Sequence, residues 1–178
     1  DGDKAEAADL ALLVHGTDGS SIHIHRGDGS RFPGDTLDPA TDASININSN
    51  LHLFDSRLVA AGNVGGGEDD NFLTRDDFIV TSADRSYLIF GEDIDFTQTE
   101  IDFESIAHAL PGIGEAFGVG PFNWDEIDDI GGTVLLTTDV VGSDAGETHR
   151  AGGIVFGGQD LSRRLLTIEE ARDAGEAE

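Results

Sequence analysis

ASININSNLHLF, residues 43–54, decides the fold class. Ile45, Ile47, Leu51 and Leu53 fall on one side of an extended chain, and Asn46, Asn48, Asn50 and His52 fall on the other. Side chains alternate across a strand with a period of two. The pattern therefore predicts a strand with one face on a core and one face toward water or a partner. The preceding segments read the same way. DLALLVH (9–15) is a compact apolar run, GTDG (16–19) is a turn, and SSIHIHR (20–26) alternates strictly, so together they predict a hairpin. Ile22 and Ile24 share one face of its second strand, and Ser21, His23 and His25 share the other.

Further strands are predicted at 56–61, 78–81, 86–90, 133–141 and 154–156, with a short one around Ile94 and Phe96. Loops rich in Gly, Asp and Pro separate them at 27–42, 62–71 and 142–152. Phe103, Ile106, Ala107 and Leu110 recur at i, i+3, i+4 and i+7, the stripe of a helix that Pro111-Gly112 ends. Asn123 with Glu126 reads as a capping box opening a second helix, whose Ile127 and Ile130 point inward. Thr167 with Glu170 reads as a third, before a brief C-terminal helix with Arg172 in its last turn. The expected fold is mainly β: an antiparallel β-sandwich or jelly-roll with a helical insertion around 103–130 and a short C-terminal helix. The alternative is an α+β sheet with helices on one face. One β-rich domain is expected over 9–174, with a mobile end at 1–8 and a frayed one at 175–178.

The charge narrows the setting. The chain of 178 residues carries 36 acidic and 10 basic side chains, a formal net charge of -26. With 38% hydrophobic residues in regular patterns it is not a disordered chain, and with Asp spread along its length it has no dedicated acidic tail. In dilute buffer such a charge repels itself, and at multimolar salt, where the Debye length is about 3 Å or less, it is screened. The composition predicts adaptation to brine, and the single Lys4 agrees. Nucleic-acid binding is excluded, because Arg163-Arg164 is the largest basic cluster. No apolar run approaches the roughly 20 residues of a membrane span. The chain begins at Asp1 and contains no Met, so a removed leader or a trimmed chain is expected. The expected location is extracellular, on a cell surface or in a virion, with the cytoplasm of a salt-accumulating halophile as the alternative.

His23 and His25 are the first candidate site. At i and i+2 of a strand both imidazoles project from one face and can hold one metal, with His52 from another strand as a further ligand. The pair resembles the His-x-His of the cupin family, with Asp28 and Pro33-Gly34 echoing that family's Glu and Pro-Gly turn. The resemblance implies a metal at the two imidazoles, with Asp28 as a further ligand. The chain departs from the family where the Glu is missing, where Gly16 is one residue off the glycine spacing, and where no second motif with a distant His follows. Glu68-Asp69-Asp70-Asn71, Asp76-Asp77, Asp93 with Asp95, and Asp125-Glu126 with Asp128-Asp129 offer oxygens to calcium, but none matches an EF-hand loop, and all read as solvated surface. His108, beside the helical stripe, reads as structural. Asn46, Asn48 and Asn50 form a row of donors and acceptors on which a neighbouring subunit could dock.

These features predict a non-enzymatic structural subunit of an extreme halophile, in a surface layer, filament or virion, that associates with itself or with other structural proteins. One alternative is a small metal-dependent enzyme or metal-binding module at His23/His25. Another is a calcium-stabilised adhesion or carbohydrate-binding module. The only cofactor expected is a bound cation, calcium or a transition metal. No hydrolase signature or phosphate loop is present.

Overall fold

The computed structural model describes residues 10–17, 19–25, 45–51, 53–65, 76–110, 112–121, 127–137, 148–158, 161 and 165–175. Among them the protein is mainly β, with three sheets, one 3-10 turn and two short helices. The chain forms two compact units, Asp1–Phe54 with Asp95–Phe103, and Asp55–Ile94 with Glu104–Glu178.

The first unit holds a four-stranded sheet of β1 (Leu10–His15), β2 (Ser20–His25), β3 (Ile45–Ser49) and β7 (Glu100–Asp102), in the order β1-β2-β3-β7. β1 and β2 form the expected hairpin, whose turn closes with Gly16 N–H donating to the Gly19 carbonyl at 2.8 Å. β2 and β3 pair antiparallel, while β3 and β7 pair parallel. The register sets Ile22 beside Ile47 and Ile47 beside Ile101, with Ile24 beside Ile45 one step along. All five are buried, so one sheet face is a continuous isoleucine layer. A one-residue slip would turn every one of them to the opposite face, and this fixes the pairing.

The second unit holds two sheets. β4 (Arg57–Gly62), β5 (Asp77–Thr81), β6 (Ser86–Ile89) and β8 (Ala107–Ala109) pair antiparallel in that order. β9 (Ile113–Gly120), β10 (Asp129–Thr137) and β11 (Thr148–Val155) form an antiparallel sheet with β10 in the middle. β9 lies against β4, β5 and β6. Ala61, Val64, Ile79, Leu88, Phe90, Leu110, Ala116 and Ile130 bury together, with Ile113, Val155, Leu161 and Leu165 packed on them. The approach is close enough that β9 needs glycine. A β-carbon on Gly118 would stand 2.8 Å from the Ala61 carbonyl oxygen, and one on Gly114 would stand 2.6 Å from that of Ala83. Thr81 and Ser86 satisfy the buried backbone here. Ala116 N–H donates to Thr81 Oγ1 at 2.7 Å, Thr81 and Ser86 hydroxyls meet at 2.7 Å, and Ser86 Oγ donates to the Gly114 carbonyl.

The helical insertion is corrected. Among the described residues of 103–130 only α1 (Phe103–Ile106), a single turn, is helical, and the chain then extends as β8 and β9. Phe103, Ile106, Ala107 and Leu110 are all buried, as the stripe requires. A segment buried on both sides carries no period that separates helix from strand, which is why the spacing misled. The proposed helix start at 123–126 lies outside the described residues, and Ile130 sits on β10. The strand expected at Ile94 and Phe96 is a 3-10 turn (Gly91–Asp93) followed by a bend, where Asp95 Oδ1 accepts from the Thr97 backbone N–H at 2.9 Å. The C-terminal helix, α2 (Ile168–Asp173), carries the expected capping box. Glu170 N–H donates to Thr167 Oγ1 at 3.1 Å, and Thr167 N–H to Glu170 Oε2 at 2.9 Å.

Candidate functional site

The polar face of the first sheet carries the residues singled out by spacing. β2 presents Ser21, His23 and His25 on one side. Asn46 stands beside His23 and Asn48 beside Ser21, while Glu100 and Asp102 stand beside Asn46 and Asn48 on β7. Burial grades across this face. His23 and His25 are buried, Asn46 is half-buried, and Asn48, Asn50, Glu100 and Asp102 are exposed. The two histidines share a face, as i and i+2 demand, but it is shielded from solvent. His52 and Asp28 lie outside the described residues. Among the described residues no group of three or more His, Asp or Glu is placed to hold a metal ion.

His23 has a defined hydrogen bond on one nitrogen. Its Nε2 lies 2.7 Å from Ser21 Oγ. Its Nδ1 and the neighbouring Asn46 Oδ1 are buried and have no hydrogen-bond partner among the described residues. A ring with Nε2–H donating to Ser21 keeps a lone pair on Nδ1, and the other tautomer presents an N–H there. The Asn row thus divides. Asn46 belongs to a shielded polar strip with His23, and Asn48 and Asn50 belong to the open face.

The acidic pairs are not uniformly surface groups, which corrects the expectation. Asp77 is buried, and its Oδ2 accepts from Val64 and Gly65 N–H at 2.8 and 2.9 Å while its Oδ1 accepts from Gly91 N–H at 2.8 Å. Loss of hydration pushes its carboxyl up to about 6, against the pull of those three N–H groups. Asp129 is fully buried and accepts from Gly157 N–H at 2.8 Å, and Asp128 accepts from Asn63 N–H at 2.8 Å. These carboxylates hold loops to sheet ends. His108 does similar work on β8. Its Nδ1 donates to the Leu165 carbonyl at 2.9 Å, Nε2 lies 3.4 Å from Asp93 Oδ2, and its ring meets Phe90 edge-on at 5.0 Å. Glu68, Asp69, Asp70, Asn71, Asp125 and Glu126 lie outside the described residues.

A feature that spacing arguments missed lies on the outer face of the third sheet. Phe117 and Val119 on β9, Ile154 on β11 and Phe156 just beyond it are exposed by 50, 38, 38 and 54%. The register sets Gly131 of β10 beside both Phe117 and Ile154, so the four side chains share one strip. The signal was present in IGEAFGVG (113–120), where Ile, Glu, Phe and Val alternate with Gly and Ala. The stretch falls within the expected helical insertion around 103–130, where no strand is predicted.

No protein family, curated protein sequence or solved structure matches the chain.

Proposed function

We propose that this chain is a non-enzymatic structural subunit that associates with copies of itself, in a surface layer, filament or virion of an organism living in multimolar salt. The observation that carries the reading is the strip of Phe117, Val119, Ile154 and Phe156, open to solvent on a chain of net charge -26. A soluble chain with so many carboxylates has ample means to cover a sheet face with charge. A contiguous apolar strip left bare marks a contact surface. In brine the screening length is about 3 Å or less, so two such copies approach without long-range repulsion. The accompanying fold reading is an antiparallel β-sandwich or jelly-roll, which the lie of β9 against β4, β5 and β6 supports for the second unit. A place outside the cell or in a virion goes with the same reading.

The test is light scattering coupled to size exclusion at multimolar salt, with and without EDTA, on the full chain and on a Phe117→Ser/Phe156→Ser double variant. A regular assembly that the double variant loses, while keeping its circular dichroism, supports the proposal. A monomer at every concentration overturns it. A monomer whose melting temperature falls in EDTA points instead to a metal-binding module.

A further inference from the structure

We infer that His108 and Asp93 form a pH-sensitive clasp, closed while the imidazole carries two protons and released on the Asp93 side when it carries one. The clasp is independent of the self-association proposed above.

Both ring nitrogens of His108 face acceptors. Nδ1 lies 2.9 Å from the Leu165 carbonyl oxygen, and Nε2 lies 3.4 Å from Asp93 Oδ2. A carbonyl and a carboxylate offer lone pairs and no proton, and a neutral imidazole has one N–H and one bare nitrogen. Only the imidazolium serves both partners. Loss of a proton sets a lone pair against an oxygen, whichever nitrogen loses it. Water does not reach the ring to relieve that contact, because His108 is 4% exposed and the fully buried Phe90 meets it edge-on at 5.0 Å. Burial decides which partner lets go. The Leu165 contact is the shorter, and a β-bridge from His108 to Thr167 fixes the segment that carries it. Asp93 has 37% of its side chain exposed and can turn to solvent. The neutral ring therefore keeps its N–H on Leu165 and releases Asp93.

No other charge intrudes. The elements packed on β8 are β6 and α2. β6 brings Tyr87, and α2 brings Glu169, Glu170, Arg172 and Asp173, of which Glu170 is engaged in its capping box. Glu92 is the neighbour of Asp93 on the 3-10 turn, and Glu104 lies on α1. Among the described residues Asp93 is the group within ion-pair distance of His108. Asp77 holds the other end of the turn, accepting from Gly91 N–H at 2.8 Å.

The clasp closes a defined loop of chain. The chain leaves the second unit after Ile94 and re-enters it at Glu104, and the segment between supplies β7. Asp93 and His108 flank those two crossings and tie the ends of the excursion together. Within the turn, Asp93 N–H donates to the Phe90 carbonyl at 3.1 Å and Ile94 N–H to the Gly91 carbonyl at 3.4 Å. These two amides report whether the turn is held.

The experiment is hydrogen exchange on the full-length wild type and on Asp93→Asn, at multimolar salt, at about pH 5.5 and about pH 8.5, on either side of the range in which an imidazole titrates. An asparagine accepts from the imidazolium through its oxygen and donates to the bare nitrogen through its amide, so it stays paired at both values. Asp77 titrates within this range in both proteins, so its effect cancels in the comparison. The expected result is that protection of the residue 93 and 94 amides, relative to their intrinsic rates, falls several-fold further with rising pH in the wild type than in the variant. Nitrogen NMR of the wild-type ring should show protons on both nitrogens at the lower pH and on Nδ1 alone at the higher. An equal response in the two proteins, or a ring that holds the same protons at both values, overturns the clasp.

Discussion

Phe117 lies across Gly131: a β-carbon on that glycine would stand 2.9 Å from the ring's Cε2 and 2.7 Å from Cγ1 of Val119. The glycine is buried on an outer sheet face because its neighbours' side chains cover it. Gly131→Ala should push both side chains outward. They are surface ends with room to move, so the cost is about 1 kcal/mol, read as a small drop in denaturation midpoint with an unchanged circular dichroism spectrum. A variant that no longer folds would mean that the ring cannot yield.

Thr81→Val should cost more than its shape suggests. The substitution keeps the volume and removes the hydroxyl that accepts from Ala116 N–H. A buried N–H left unpaired costs about 1–3 kcal/mol. Thr81→Ser, which keeps the oxygen, should retain the larger part of that stability. Loss in Thr81→Ser with none in Thr81→Val, measured by urea unfolding, would show that the methyl group and not the hydrogen bond holds β5 to β9.

Asp77 gives a pH dependence with a defined sign. Its folded carboxyl holds a proton up to about 6, against 3.8 in an exposed chain. Between those values the folded state binds more protons than the unfolded state. The contribution to stability is full below 3.8 and is lost as pH rises through about 6, over a span of roughly 3 kcal/mol. Other carboxylates titrate in the same range, so the quantity to measure is the stability difference between the wild type and Asp77→Asn. That difference should shrink in the wild type's disfavour between pH 4 and pH 7. A difference independent of pH would show that Asp77 is ionised throughout.

The proposed adaptation to brine predicts that dilution unfolds the protein. Circular dichroism followed from multimolar to low salt should show loss of the β spectrum, and refolding when salt is restored. Cooperative unfolding with an undiminished midpoint at low ionic strength would remove the composition argument.

Strands marked by apolar-polar alternation or by bounding turn residues were legible in the sequence even where both faces are buried, as in β2, β5 and β6, and strands without those marks were not. β1 and β2 announce themselves by their turn and by the alternation of Ile22 and Ile24 with Ser21 and His23. α2 announces itself by Thr167 and Glu170. β8 is lost to a helical reading because both Ala107 and His108 are buried, which erases the period of two. β9 and the start of β11 fall where a helical insertion and a loop are expected, and the glycines of β9 serve close packing, as at Gly114 and Gly118, rather than turns. β7 could not be foreseen, because its parallel partner β3 is about fifty residues away in the chain. At the candidate sites, spacing placed His23 and His25 on one face but said nothing of their burial. The apolar strip emerges only when the register lines up Phe117, Gly131 and Ile154.

Asp77 and Asp129 have a consequence for any attempt to lower the charge of this chain. The obvious redesign trades acidic residues for neutral ones until the net charge is modest. On the surface that exchange touches only hydration and repulsion. At these two positions the carboxylate is part of the backbone's own wiring, taking N–H groups from Val64, Gly65, Gly91 and Gly157 that no sheet partner claims. A neutralised variant has to leave both in place. The acidity of the chain is therefore of two kinds, one carried on the surface and one built into the fold.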